Sequence, residues 1–166
     1  MMRPVMPSLD ELRQMTPCYE TVIPKEWEDW NGHMNVQYYM RLYDDAGWPW
    51  FERVGITLDY IQSGAGSIFD MVHHINYLAE INIGDRVAVY GRLVGRSQKR
   101  IHTVWFIVNE TQGVLANACE FLTCFVDLST RKSAPWPDDV AAKLDAMLER
   151  ERKLNWAPPL CGAIAV

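Results

Sequence analysis

The sequence predicts an α+β domain in which one antiparallel sheet curves over a single long helix. Three features carry this expectation. Apolar residues in 36–54 recur at three- and four-residue spacing; four later segments have strand-like composition; and the turns joining most of those four are too short for parallel neighbours. The order strand, long helix, four strands, second helix sets one helix against one sheet.

The elements follow in chain order. Segment 18–24 is β-branched and aromatic and ends at Pro24, which makes it the first strand. In 36–54, Tyr39, Leu42, Tyr43, Ala46, Trp50 and Val54 fall on one helical face, with Asn35 the expected N-cap and Gly55 the expected stop. Pro49 removes a backbone donor inside this pattern, so a kink or break is expected near Gly47-Trp48-Pro49. Strands are expected over 67–78, 86–94, 101–109 and 114–127, with turns at Gly84-Asp85, Gly95-Arg96-Ser97 and Thr111-Gln112-Gly113. In 67–78, strict alternation sends Phe69, Met71, His73, Ile75 and Tyr77 to the core, and Asp70, His74 and Asn76 to a polar face at a pocket or subunit interface. A second helix over 138–154 carries Val140, Leu144, Met147, Leu148 and Leu154 on one side, and the last dozen residues read as a tail. The domain reading is therefore an N-terminal extension (1–17), a main domain (18–137) and a C-terminal helix with its tail (138–166). A single helix covers only one sheet face, so self-association is expected to cover the other.

Composition removes several function classes. The chain has 166 residues, 49% hydrophobic, enough for one core without metal or disulfide support. A net charge of −5 argues against a nucleic-acid partner. No apolar run reaches the roughly 18 residues of a membrane span, and 1–16 carries charges where a signal peptide needs an apolar centre. The expectation is a cytoplasmic protein. Cys18, Cys119, Cys124 and Cys161 form no C-x-x-C and read as reduced thiols. His73 and His74 are adjacent in a strand and point to opposite faces, so the sequence supports no metal site there.

Candidate chemistry gathers in the loop before the long helix. Asp29 fits either a turn-stabilising carboxylate or an acid-base group beside the unpaired N–H groups of a helix N-terminus, which suit an oxyanion. His33 fits a general acid, a substrate donor or a bond to the loop backbone, while Asn31 and Asn35 fit turns and caps equally well. Asp44 and Asp45 read as exposed helix charge. Cations cluster at Arg92, Arg96, Lys99 and Arg100, and again at Arg131-Lys132; against an acidic background such clusters are either solvated or an anion site.

The run Asp29-Trp30-Asn31-Gly32-His33-Met34-Asn35-Val36-Gln37-Tyr38-Tyr39 resembles the D-x-x-G-H-x-N-x-x-x-Y signature of hotdog-fold thioesterases of the 4-hydroxybenzoyl-CoA thioesterase-like family. The Gly84-Asp85 turn and the strand ending at Val126-Asp127 match as well, so the resemblance covers about 18–137. Glu26-Trp27 and His74-Ile75-Asn76-Tyr77-Leu78-Ala79-Glu80 look closest to the betainyl-CoA thioesterases of carnitine degradation. The resemblance implies a hotdog fold, a five-stranded antiparallel sheet wrapped around the central helix, with an acyl-CoA substrate and a homodimer or homotetramer. It implies Asp29 as nucleophile or general base, with His33 alongside, and Asn35 and Val36 at the oxyanion. Trp30, Asn31, Tyr39 and His74 are then candidate substrate contacts, and Arg96, Lys99, Arg100 and Arg131 candidate CoA contacts. No cofactor beyond the CoA of the substrate is required. A short, cationic acyl group would be held by aromatic faces, for which Trp30, Tyr39, Trp48 and Trp50 are available, Tyr39 and Trp50 also fitting plain core. Two other functions compete. A hydratase on this fold needs an Asp and His presented by the helix, and a non-catalytic acyl-CoA sensor needs a partner module for which 17 residues ahead of the first strand leave little room.

Overall fold

The computed structural model describes residues 4–166, so the first three residues of the expected N-terminal extension lie outside the description. One short strand and four long ones form one antiparallel sheet: β1 (Tyr19–Val22), β2 (Ser67–Tyr77), β3 (Arg86–Arg96), β4 (Arg100–Asn109) and β5 (Val114–Asp127), in the order β1-β3-β4-β5-β2. A two-residue strand β6 (Lys132–Ser133) adds to the end of β5. The helices are α1 (Leu9–Leu12), α2 (Gln37–Glu52), α3 (Leu58–Gln62) and α4 (Asp138–Glu151), and Lys25–Trp27 makes one turn of 3-10 helix. This is the hotdog fold: a curled antiparallel sheet around a central helix.

Helix α2 forms because its apolar residues line one face, and it buries Tyr39, Leu42, Tyr43, Ala46, Trp50 and Phe51 against the sheet. Fully burying a large side chain such as Leu42 or Phe51 is worth about 1.5–3 kcal/mol. The expected break at Pro49 does not occur; α2 continues to Glu52. Proline removes one N–H, but Trp50 and Phe51, immediately after it, are locked in the core and hold the last turn. The end is set where expected. Gly55 adopts φ 96°, its N–H donates to Glu52 O at 3.0 Å and the Ile56 N–H donates to Phe51 O at 3.1 Å, a Schellman closure.

The sheet face turned to α2 also receives α4 through Val140, Leu144, Met147 and Leu148. The opposite face is not left for a partner alone. Leu12 of α1 and Trp156 of the C-terminal segment pack over Ala88, Tyr90, Val104, Phe106, Val108 and Ala118. The expected extension and tail are thus part of the packed structure. Arg92 joins them, its guanidinium 4.1 Å from the Trp156 ring and donating to Trp156 O at 2.8 Å.

Strand β2 departs from strict alternation. Its pairing with β5 shifts register between Asp70 and Val72, and this bulge reverses the faces on its N-terminal side. Phe69, expected in the core, is 62% exposed, whereas Asp70 turns inward and accepts from Thr123 Oγ1 at 2.6 Å. Beyond the bulge the expected parity holds, with Ile75 packed on the core and His73 4.2 Å from the Phe121 ring. The other edge of β2 has no strand beside it among the described residues.

Candidate active site

The loop 29–33 is a tight hairpin. The Asp29 N–H donates to His33 O at 2.9 Å and the Gly32 N–H to Asp29 O at 3.1 Å, with Gly32 at φ 86°, a conformation glycine adopts without penalty. Flanking bonds pin the loop to the body: the Met34 N–H donates to Ile81 O at 2.8 Å and the Asn35 N–H to Trp27 O at 2.8 Å. Met34 itself is buried. The Asp29 carboxylate is therefore held on a braced turn at the entrance to α2.

Both oxygens of that carboxylate are engaged. The Asn31 N–H donates to Oδ1 at 2.7 Å and Asn31 Nδ2 to Oδ2 at 3.3 Å, and His33 Nδ1 stands 3.6 Å from Oδ1. Desolvation acts to raise the Asp29 carboxyl, but the Asn31 backbone and side-chain donors together with His33 outweigh it and hold the group below its ordinary value. His33 reaches on toward Glu80, with Nε2 3.7 Å from Oε1. Asp29, His33, Val36 and Tyr39 open on one cavity of about 360 Å³, whose far wall is Tyr77 to Glu80 at the end of β2.

The remaining candidates separate into groups. The Asn35 side chain accepts from the Gln37 N–H at 3.1 Å and so braces the first turn of α2, whose N-cap falls one residue past the expected Asn35, at Val36. The Val36 N–H meets no acceptor among the described residues and borders the cavity, so it is the free donor at the helix N-terminus. Tyr39 is buried and stacks edge-on to Tyr77 at 5.0 Å. Asn31 is spent on Asp29. Trp30 is fully exposed at the hairpin tip and lines no part of this cavity, and Trp50 is core. His74 lies away from Asp29, on the outer sheet face beside Glu120, with Nδ1 3.7 Å from Oε1.

Of the cations, Arg96 is taken up by a bidentate pair with Asp145, and Lys99 Nζ approaches Ser133 O at 3.5 Å. Arg100 and Arg131 line one outer groove together with Phe69 and Met71. Arg92 is buried against Trp156.

One turn along α2 from Tyr39 lies a second cavity, of about 250 Å³, between the helix and the sheet. Five rings border it, from Tyr43, Trp48, Phe51, Trp105 and Phe121, with two carboxylates, Asp44 and Asp70. Trp48 was a candidate from the sequence. Asp70 was expected on a polar face at a pocket or interface opposite the core; the bulge, which leaves no mark in the alternation, turns it to the α2 side instead, and Trp105 was not singled out. The Gly84-Asp85 turn is structural: buried Asp85 accepts from Asn109 Nδ2 at 2.6 Å and Gln112 Nε2 at 2.8 Å. All four cysteines are free, and burial first of all pushes the Cys119 thiol up to about 12, which makes it inert.

A braced carboxylate and an unbonded helix N-terminal N–H thus border one cavity of a hotdog fold. The chain belongs to the thioesterase-like superfamily, whose sequence model matches residues 23–144. It is similar to the betainyl-CoA thioesterase of Pseudomonas aeruginosa, with 29% identity over 143 residues, 86% of this chain and 90% of that protein. It also matches an L-carnitine dehydrogenase/betainyl-CoA thioesterase of Rhizobium meliloti at 29% identity, spanning 82% of this chain and 27% of that longer protein. Among solved structures, a Staphylococcus aureus protein determined in complex with CoA superposes with a TM-score of 0.80 at 22% identity, covering 92% of this chain and 96% of that one.

Proposed function

We propose that this chain hydrolyses a short, cationic acyl-CoA of the betainyl type, as a homodimer or homotetramer, with no metal or redox cofactor in the chemistry. Asp29 acts on the thioester carbonyl, either directly or by taking a proton from water, and the Val36 N–H receives the developing oxyanion. On either route the CoA thiolate leaves and is protonated; direct attack leaves an acyl–Asp29 mixed anhydride that water then hydrolyses to the free acid and the regenerated carboxylate, whereas an activated water gives the free acid at once. Asn31 keeps the carboxylate ionised and aimed, and His33 links it to Glu80 at the cavity wall.

The observation that carries the substrate reading is the second cavity. A trimethylammonium group has no hydrogen to donate, so it is held by ring faces, each contributing about 0.5–2 kcal/mol, and by nearby negative charge. The five rings with Asp44 and Asp70 supply both. The similarity to betainyl-CoA thioesterases supports the same reading. Arg100 and Arg131, which share the outer groove, would take the CoA phosphates, since Arg96 already has a partner.

Strand β2 supports self-association. Its 11 residues leave an unpaired edge roughly 36 Å long, flanked by exposed Phe69, Met71 and Val72. Antiparallel pairing of two copies along this edge would bring the Tyr77 to Glu80 end of one, with its Asp29, toward the Ile68 and Asp70 end of the other. The carboxylate of one protomer would then serve the aromatic cavity of its partner.

A thiol-release assay tests the substrate class. Betainyl-CoA is expected to be cleaved at least ten times better, in kcat/KM, than the neutral isostere 3,3-dimethylbutanoyl-CoA, and Trp48→Ala or Asp70→Asn is expected to erase most of that ratio. Equal rates on both substrates would remove the cationic acyl group and leave a thioesterase of other preference.

A further inference from the structure

On the outer face of the sheet, away from Asp29, three potential metal donors of different chemistry meet. Glu120 on β5 stands directly opposite His74 on β2 in the strand register, and the C-terminal segment returns to lay Cys161 over the pair. His74 nitrogen, Glu120 oxygen and Cys161 sulfur all lie within 4.8 Å of one another. Glu120 is only 2% exposed, a charge that burial makes costly unless it is partnered. Two partners are visible: His102 Nε2, 3.0 Å from Oε2, and the Cys161 N–H, which donates to Oε1. The Cys161 thiol and the His74 imidazole lie at the same carboxylate, and neither donates a proton to it in a hydrogen bond.

The geometry points to a zinc site formed by His74, Glu120 and Cys161. One nitrogen, one oxygen and one sulfur donor suit a borderline-soft ion and not Mg²⁺ or Ca²⁺, which take oxygen ligands. Bonds of about 2.0–2.3 Å in a tetrahedron place ligand atoms roughly 3.3–3.7 Å apart. His74 Nδ1 and Glu120 Oε1, at 3.7 Å, already have that spacing, and the exposed Asn76 amide, whose Nδ2 lies 3.4 Å from Nδ1, would turn away to admit the ion. The thiol, within 4.8 Å of the other two atoms, closes by at most about 1.5 Å, a side-chain rotation. The His74 side chain is 44% exposed, which leaves the fourth position for water. His102 at Oε2 is the outer partner that orients the carboxylate. The ion would fasten the C-terminal segment to the edge strand β2, at a distance from the thioester chemistry, and so serve structure. Neither His73 with His74 nor the cysteine spacing announces this site, because its ligands are 46 and 41 residues apart in the sequence, at 74, 120 and 161.

The test uses the full chain, stripped with chelator and titrated with Zn²⁺ against a chromophoric competitor, then with Co²⁺. We expect about one ion per chain, a tetrahedral Co²⁺ spectrum and a near-ultraviolet thiolate-to-cobalt band. Cys161→Ser is expected to abolish that band, and both Cys161→Ser and His74→Ala to weaken Zn²⁺ binding at least about 100-fold, more than outer-sphere changes do. Cys124→Ala, on the same face but outside the cluster, is expected to keep the band. Circular dichroism of each metal-free variant checks that it is folded. Zn²⁺ binding that is equal in the parent chain and in Cys161→Ser, or a Co²⁺ complex without the thiolate band, overturns the site.

Discussion

Glu151 offers a stability test with a magnitude set by the structure. It sits at the end of α4, 9% exposed, and its Oε2 accepts from the Leu93 N–H on the stretch of β3 that β1 does not reach. Burial pushes its carboxyl up from 4.5 to about 7, against the Leu93 N–H and the Arg150, Arg92 and Arg53 guanidiniums, which act to lower it. The folded chain thus prefers the neutral acid. That contribution is fully present below 4.5, where the unfolded chain is also protonated, and is lost as pH rises through about 7. At about 1.36 kcal/mol per pKa unit, the loss over this window is roughly 3 kcal/mol. Asp29, Asp127 and Asp145 are held low and act in the opposite direction, but only as pH falls below 3.8, outside the window. In Glu151→Gln the amide still accepts from Leu93 and no longer titrates. Urea unfolding of both proteins at a series of pH values is expected to show the parent losing about 3 kcal/mol relative to the variant between pH 4.5 and 8. In melting temperature that is roughly 6–12 °C for a chain of this size. Parallel curves for the two proteins would refute the assignment of a neutral buried acid.

Asn31→Ala removes a side-chain donor from the Asp29 carboxylate, so the acidic limb of kcat/KM is expected to move up toward the ordinary carboxylate value, while a purely structural Asn31 would lower activity without moving the limb. Gly55→Ala forces a β-carbon into the left-handed region at φ 96° and within 2.7 Å of Lys143 Nζ. The flexible lysine yields, the backbone strain remains, and a loss of about 1–2 kcal/mol in urea unfolding is expected. An unchanged midpoint would argue against the Schellman closure as the stop of α2.

Much of this fold was legible in the sequence because its elements carry clear periods. The strand limits at Ser67, Arg86, Val114 and Asp127 fall where composition and turns place them, and α2 begins and ends beside the expected Asn35 and Gly55. What was not legible depends on tertiary context. A bulge at Met71 inverts Phe69 and Asp70 without altering the residue pattern around them. Trp156 and Leu12 lie in segments without sustained periodicity, yet both are buried on the outer face. Pro49 argues locally for a break that the burial of Trp50 and Phe51 overrides. For the site, the signature led to Asp29, His33 and Val36, which share one cavity, and to Asn31 and Asn35, which hold that cavity's parts in place. His74 and Trp30 stand apart from it: alternation put His74 on the outer face, where it lies, and only the substrate contact implied by the resemblance is missing, while a loop tip such as Trp30 cannot be oriented from spacing.

The central claim is that Asp29 carries thioester hydrolysis. Thiol release from betainyl-CoA by Asp29→Asn, measured beside the parent chain with matched circular dichroism, tests it most directly. The substitution keeps the Asn31 contacts within reach and removes only the charge and basicity, so kcat is expected to fall roughly 100- to 10,000-fold with the fold intact. Turnover within a few-fold of the parent would contradict the account and move the chemistry to another group.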